Sequence, residues 1–250
     1  MILGVPAHAK LNLNLEVLGR RPDGHHEIRT LMQAISLHDL LLAKPSSATR
    51  LTVHGDAPAG SDNLVLRAAA ALEQAAGRAL PAEFGLLKRI PPGSGMGGGS
   101  SNAAAALRAL ARLYDVDLDL RTIAAALGAD VPFFLRGGAV LATGRGDELH
   151  PQPRVAGWFA VAWPGWTVST SEVYARWREA PSGPPNALVA AATAVEPRLA
   201  DFADTLGSGW QLTGSGSAFF LCCPDRAGAE AAVSRLGCWT AVAHAVGPWG

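Results

Sequence analysis

Between Lys10 and Val17 the chain alternates, with Leu11, Leu13, Leu15 and Val17 on one face and Lys10, Asn12, Asn14 and Glu16 on the other. A period of two predicts a half-buried strand that presents Lys10 and Asn12 in the same direction. A Pro22-Asp23-Gly24 turn signal follows inside Arg20 to Glu27, and apolar runs at Ile35 to Ala43 and Leu51 to His54 make the first quarter mostly β. The pattern then changes. Asp62 and Asn63 are good N-caps for an Ala/Leu-rich helix that stops at Gly77, and Glu83 to Ile90 reads as a further strand.

Five of the seven residues from Gly93 to Gly99 are glycine. They forbid regular structure, yet from Ser101 or Asn102 onward alanines and leucines propagate a helix, so a glycine loop feeds a helix N-terminus. A second helix spans Leu118 to Leu127, stops at Gly128, and leads to a short turn near Pro132 with Asp130 in the capping position. Pro151 to Arg154 marks a boundary, and VAGWFAVAWPG beyond it reads as a buried strand. A helix-like stretch from Asn186 to Asp204 is interrupted by Pro197. Strand-like Trp210 to Thr213, the turn Gly214-Ser215-Gly216 and strand-like Ala218 to Cys222 follow, and helix Ala227 to Leu236 and strand Trp239 to Ala243 close the series. The pattern describes an α+β chain.

Composition narrows the functional classes. Over 250 residues, 21 basic and 21 acidic side chains cancel, which removes the positive field of a nucleic-acid binder. The longest apolar stretch, Val155 to Trp163, is half of the ~20 residues that span a bilayer, so no membrane association is expected. The opening MILGVPAHAK is too short in apolar residues for a signal peptide. Cys222, Cys223 and Cys238 are odd in number and lack metal-ligand spacing, which fits a reduced, cytoplasmic protein. Against 18 arginines there are only three lysines, Lys10, Lys44 and Lys88, and each survivor draws mild attention.

The chemistry points to the glycine loop. Consecutive glycines bring backbone N–H groups close to an anion, and the following helix adds unpaired donors and a positive dipole end. Phosphate is the natural ligand. Gly99 is followed by Ser100 and Ser101 rather than by Lys and Ser/Thr, so this is not a Walker A loop. Gly93, Gly95 and Gly98 satisfy G-x-G-x-x-G only as any glycine tract would. On the residues alone, Asp130 reads as an N-cap and Lys10 as an exposed strand-face charge. His25 and His26 read equally as turn residues, and Tyr174 as core. Neither Ser94 nor Ser215 has the full G-x-S-x-G elbow of a nucleophile.

Three blocks together resemble the GHMP small-molecule kinase family: AKLNLNLEVLGRRPDGHHEI, KRIPPGSGMGGGSSNAAAAL and LTGSGSAFFL. They run in the family's order from Ala9 to about Leu221. The run GGGSSNAA, with the first block and GADVPFFLRGG, looks most like the branch acting on a cytidine diphosphate-linked methylerythritol. The resemblance implies a two-lobed fold: an ATP-binding N-terminal lobe like the second domain of ribosomal protein S5 over residues 1–150, and a ferredoxin-like C-terminal lobe over 151–250. It implies ATP and Mg2+, with no metal ligands or oligomeric state specified. ATP's phosphates would lie over Pro91, Gly93, Ser94, Gly95, Met96, Gly97, Gly98, Gly99, Ser100 and Ser101, with Asn63 and Lys88 near the adenosine. Gly214, Ser215 and Gly216 would form the opposing turn. Asp130 would take the proton of the substrate hydroxyl, helped by Lys10 and Asn12, while His25, His26 and Tyr174 would hold cytosine.

That assignment is physically sufficient, since phosphoryl transfer needs positioning, charge neutralisation and an acceptor for one proton. A Lys–Asp pair at ~4 Å carries about 4 kcal/mol of Coulomb energy before desolvation, enough to keep Asp130 ionised. The chain departs from the family at His25, where a Tyr is usual, and in its compact segment after Tyr174. Rival readings are another GHMP kinase, acting on homoserine or a mevalonate derivative, and a nucleotide-binding regulatory protein that lost catalysis. GGGSSNAA and DGHHE argue against the first, Lys10 with Asp130 against the second.

Overall fold

The computed structural model describes residues 1–178 and 182–249. Its first sheet is built on one strand. β3 (His26–Pro45) is 20 residues long and collects partners along both edges: β1 (Leu3–Asn12), β2 (Glu16–Arg20), β5 (Ala82–Leu87) and β6 (Ala139–Thr143), all antiparallel. β7 (Glu148–Gln152) extends the sheet beyond β6. β4 (Arg50–His54) lies parallel to β5, a pairing that needs a crossover, and α1 (Leu64–Ala76) supplies it.

α2 (Gly98–Tyr114), α3 (Leu120–Leu127) and α4 (Val131–Arg136) join α1 in the layer over this sheet. Ser101 through Leu107 of α2 are all buried, and four consecutive alanines there let α1, α4 and the sheet approach it from different sides.

The second lobe runs β8 (Trp158–Trp163), α5 (Thr170–Arg176), α6 (Val189–Val195), α7 (Arg198–Leu206), β9 (Gln211–Leu212), β10 (Phe219–Cys223), α8 (Arg226–Val233) and β11 (Trp239–His244). Its antiparallel order is β11-β8-β10-β9, the ferredoxin-like arrangement. Pro197 separates α6 from α7, since a proline cannot continue the helix before it.

The lobes share a core. Ala9, Leu11 and Ile35 of the first sheet pack with Phe159, Val161, Phe220 and Ala243 of the second, and Ile35 bridges directly to Ala245. Among the described residues no helix is long and apolar enough to cross a membrane.

Several elements differ from the sequence pattern for identifiable reasons. The alternating stretch 10–17 is not one strand: β1 ends at Asn12, whose side chain and N–H bond to Thr30 and Thr213, and pairing resumes only at Leu15 and β2. Its polar face is buried too, because Lys10 and Asn12 turn toward the other lobe at 5% exposure each. β5 stops at Leu87 instead of Ile90, since the N–H groups of Arg89 and Ile90 donate to the Asp39 carboxylate and not to a neighbouring strand. α2 begins at Gly98, three residues earlier than Ser101, because Gly97 at φ +71° serves as its N-cap. β6, β7 and α5 had no clear periodic signature.

Candidate active site

A cavity of about 860 Å³ lies between the lobes. One wall is the glycine loop. The first turn of α2 has no side-chain cap and no acidic residue, so the N–H groups of Gly98, Gly99 and Ser100 are left without helical partners beside the cavity. With 17 residues behind it, this end also carries the positive pole of the helix dipole. The loop must be glycine where it meets the second lobe: a Cβ at Gly95 would stand 2.5 Å from Thr213 O and 2.9 Å from Gly216 O, and φ there is +81°.

Lys10 enters from β1. Its Nζ donates to Asn12 Oδ1 and stands 3.8 Å from Asp130 Oδ2. Burial lowers the Lys10 pKa from its ordinary value, and the Asp130 charge pulls it back up. Asp130 sits at the N-cap position of α4 but makes no cap hydrogen bond, so its carboxylate, 36% exposed, faces Lys10 and the cavity. Asn12 is fixed from three directions: it receives Lys10, its Nδ2 donates to Thr30 Oγ1 at 2.8 Å, and its N–H donates to Thr213 Oγ1 at 3.0 Å. The Gly214 turn lies directly above, held by Asn186 Nδ2, which donates to Gly214 O at 2.9 Å and Leu212 O at 2.8 Å. Ser215 Oγ pairs with Thr170 Oγ1 at 2.8 Å.

At the other end of the cavity His26 lies over Tyr174 with ring centroids 5.0 Å apart and a 35° tilt, and meets Trp177 edge-on at 5.9 Å. Burial lowers the His26 pKa, and Arg20, Arg178 and His25 lower it further, which favours the neutral ring. Tyr174 is shifted upward, first by burial and then by Asp130, and stays protonated. His25 also reaches the cavity but is 59% exposed, beside Asp23.

Of the residues the sequence singles out, the cavity gathers Lys10, Asn12, His25, His26, Pro91, Gly93, Ser94, Gly95, Gly97, Gly98, Gly99, Ser100, Asp130, Tyr174, Gly214 and Ser215. Five do not line it. Asn63 caps α1, accepting from Val65 N at 2.9 Å. Met96 and Ser101 are buried behind the loop, and Gly216 abuts Leu212. Lys88 is committed to an ion pair with Asp39, which is fully buried and also accepts from Asn102 Nδ2 at 2.8 Å. This network ties β3, the entry to the glycine loop and α2 together.

Asp39, Asn102, Thr30, Thr213 and Asn186 escaped the sequence reading. A lone acid in the apolar run Ile35 to Ala43 was the available signal for Asp39, because a buried carboxylate requires a partner. Arg20, Arg145 and Arg178 also line the cavity, and nothing in their spacing sets them apart among 18 arginines. Among the described residues no group of three His, Cys, Asp or Glu is placed to hold a metal ion.

Residues 63–138, from the α1 cap through the glycine loop to the glycines after α4, match the family model for the GHMP kinases N terminal domain. The class of molecule is therefore a GHMP kinase. The chain is 40% identical over 265 residues to 4-diphosphocytidyl-2-C-methyl-D-erythritol kinase of Halorhodospira halophila, covering 96% of this chain and 92% of that one. A kinase of the same name from Pelotomaculum thermopropionicum is 46% identical over 183 residues, but that alignment covers 70% of this chain and only 63% of the relative. A crystal structure of 4-(cytidine 5'-diphospho)-2C-methyl-D-erythritol kinase superposes with a TM-score of 0.84 at 38% identity, over 98% of this chain and 99% of the other. The chain belongs to the GHMP kinase family, in the group of the 4-diphosphocytidyl-2-C-methyl-D-erythritol kinases.

Proposed function

We propose that the chain is a cytoplasmic enzyme of the non-mevalonate isoprenoid pathway that transfers the γ-phosphoryl group of ATP to the 2-hydroxyl of 4-diphosphocytidyl-2-C-methyl-D-erythritol. The observation that carries the reading is the 3.8 Å Lys10–Asp130 pair in a cavity that also holds the uncapped end of α2. The ATP-binding lobe, expected over residues 1–150, also takes in β7 to Gln152 and the returning tail 245–249, and the segment from β8 to β11 completes the substrate wall.

The hydroxyl oxygen attacks the γ-phosphorus, the bond to the β–γ bridging oxygen breaks, ADP leaves, and Asp130 takes the hydroxyl proton. The Gly98, Gly99 and Ser100 N–H groups receive phosphate oxygens, and Lys10 offsets charge that develops on the transferring group. Asn12 orients both Lys10 and the hydroxyl. The His26–Tyr174 ring pair offers a flat face to cytosine, with exposed His25 at the rim. Asn63 and Lys88 shape the nucleotide end indirectly, through the α1 cap and the Asp39 network.

Mg2+ fits the oxygen donors of the cavity wall. The Ser100 hydroxyl would hold it together with ATP's phosphates, leaving the Asp130 carboxylate to take the hydroxyl proton. When bound it would neutralise phosphate charge.

The test is ADP formation with ATP and a panel of alcohols. Turnover is expected with the cytidylyl substrate and not with homoserine or mevalonate derivatives. Comparable kcat/KM for those alcohols, with none for the cytidylyl substrate, would overturn the proposal.

A further inference from the structure

After β11 the chain leaves the second lobe and returns along the first. Ala245 bridges to Ile35, Val246 N donates to Ala34 O at 2.9 Å, and Gln33 Nε2 donates to Val246 O at 3.0 Å. Pro248 then bridges to Gly137, and Trp249 takes hold of α4. Its backbone N–H donates to Arg136 O at 3.0 Å and its indole Nε1–H to Phe134 O at 3.1 Å. Both acceptors lie in the last turn of α4, where carbonyls have no partner within the helix. The indole ring fills the space over Gly137, where a Cβ would stand 2.2 Å from it. His8 stacks on the ring at 5.1 Å, and the Arg108 guanidinium lies 5.8 Å from it.

A helix of six residues cannot hold its place by its own hydrogen bonds, so the position of α4 is set from outside. What α4 carries makes that position consequential. Asp130 immediately precedes its first residue, and the Phe134 ring lies so close under Gly97 that a Cβ there would meet it at 2.7 Å. At 1.5 Å per residue, the grip on Arg136 acts about 9 Å along the axis from Asp130.

We propose that Trp249 is a positioning residue: by holding the C-terminal carbonyls of α4, it sets Asp130 against Lys10 and Phe134 beneath the glycine loop. The inference rests on the reading of Asp130 as the proton acceptor. Moving a reacting group by ~1 Å costs up to about 10²-fold in rate, while the proposed phosphate donors start α2 and lie roughly 12 to 15 Å along that helix from Arg108, its residue at the Trp249 ring.

The test compares wild type, Trp249→Phe and Trp249→Ala in two measurements. Amide hydrogen exchange over residues 131–137 is read without substrate, with α1 as the internal reference, and so does not depend on which alcohol is phosphorylated. Exchange over 131–137 accelerates in Trp249→Ala while α1 is unchanged; Trp249→Phe, which keeps a ring and the backbone donor but loses the indole N–H, falls between. In steady-state kinetics Trp249→Ala lowers kcat about 10- to 100-fold with little change in either KM, and Trp249→Phe restores part of the loss. Unchanged exchange over 131–137, equal acceleration in both helices, or a loss carried in KM overturns the proposal. If wild type phosphorylates no cytidylyl alcohol, it is the substrate reading that fails, and the exchange comparison alone decides the role of Trp249.

Discussion

Lys10 carries a charge that its own surroundings disfavour. Burial lowers its pKa, Asp130 opposes the shift, and the lowering prevails. An incoming phosphate would supply the missing counter-charge, which is how a buried ammonium comes to prefer an occupied site. The sign of the pH dependence follows from proton counts. Between the lowered folded value and the ordinary 10.5, the unfolded chain binds more protons than the folded one, so the cost of burying Lys10 disappears as pH rises through that window. Wild-type stability, measured by urea denaturation relative to Lys10→Met, should therefore increase with pH across it. Parallel stability curves would show that Lys10 is not desolvated as described.

Single residues were the least legible scale in the sequence. Asp130 looked like a cap, and only the missing cap bond with the facing Lys10 separates it from an ordinary one. Lys88, noticed because lysines are rare here, is spent on Asp39, a partner 49 residues away that no local pattern reveals. Adjacent His25 and His26 were indistinguishable until strand β3 turned one ring onto Tyr174 and left the other 59% exposed.

Elements were more legible, because their signals are local. α1 shows its Asn63 cap and its Gly77 stop in the sequence, and both function as such in the structure. β3 was only half visible, since Thr30 and Gln33 are buried by hydrogen bonds and so break the apolar pattern that a strand should show. The glycine loop was recognised, but not how each glycine is used. Gly95→Ala would place a methyl group against backbone carbonyls of the second lobe at a positive φ. It should cost more than about 1 kcal/mol of stability and weaken ATP binding. Gly60→Ala, with nothing within 4 Å and no positive φ, should be near neutral in the same thermal-melt and nucleotide-titration experiments. Equal behaviour of the two variants would mean that the loop does not need its close approach.

At the scale of the whole molecule, the site exists because distant segments meet. Asn12 and Thr213, whose hydrogen bond closes the cavity behind Lys10, are 201 residues apart. Periodicity carries no information about such contacts, which is why the two-lobed arrangement came from the resemblance of three blocks and not from the pattern of apolar positions. The shared core explains why the glycine loop and the Gly214 turn stay in register: Met96 and Ala218 are packed in the same interlobe cluster, and Ala218 N donates to Ser94 O at 3.0 Å. The cavity thus joins the proposed phosphate cradle from one lobe to a turn and an aromatic wall supplied partly by the other. The most direct measurement of what it does is kcat for Asp130→Asn with ATP and the cytidylyl substrate, alongside ATP affinity and melting temperature. Removing the proton acceptor should lower kcat by about 10² to 10⁴-fold. Because no cap bond is lost, ATP affinity should change little and the melting temperature should fall only by what the Lys10 pair contributes. A near-normal kcat, or a loss of activity that follows unfolding and returns at low temperature, would contradict the assignment of Asp130 as the base.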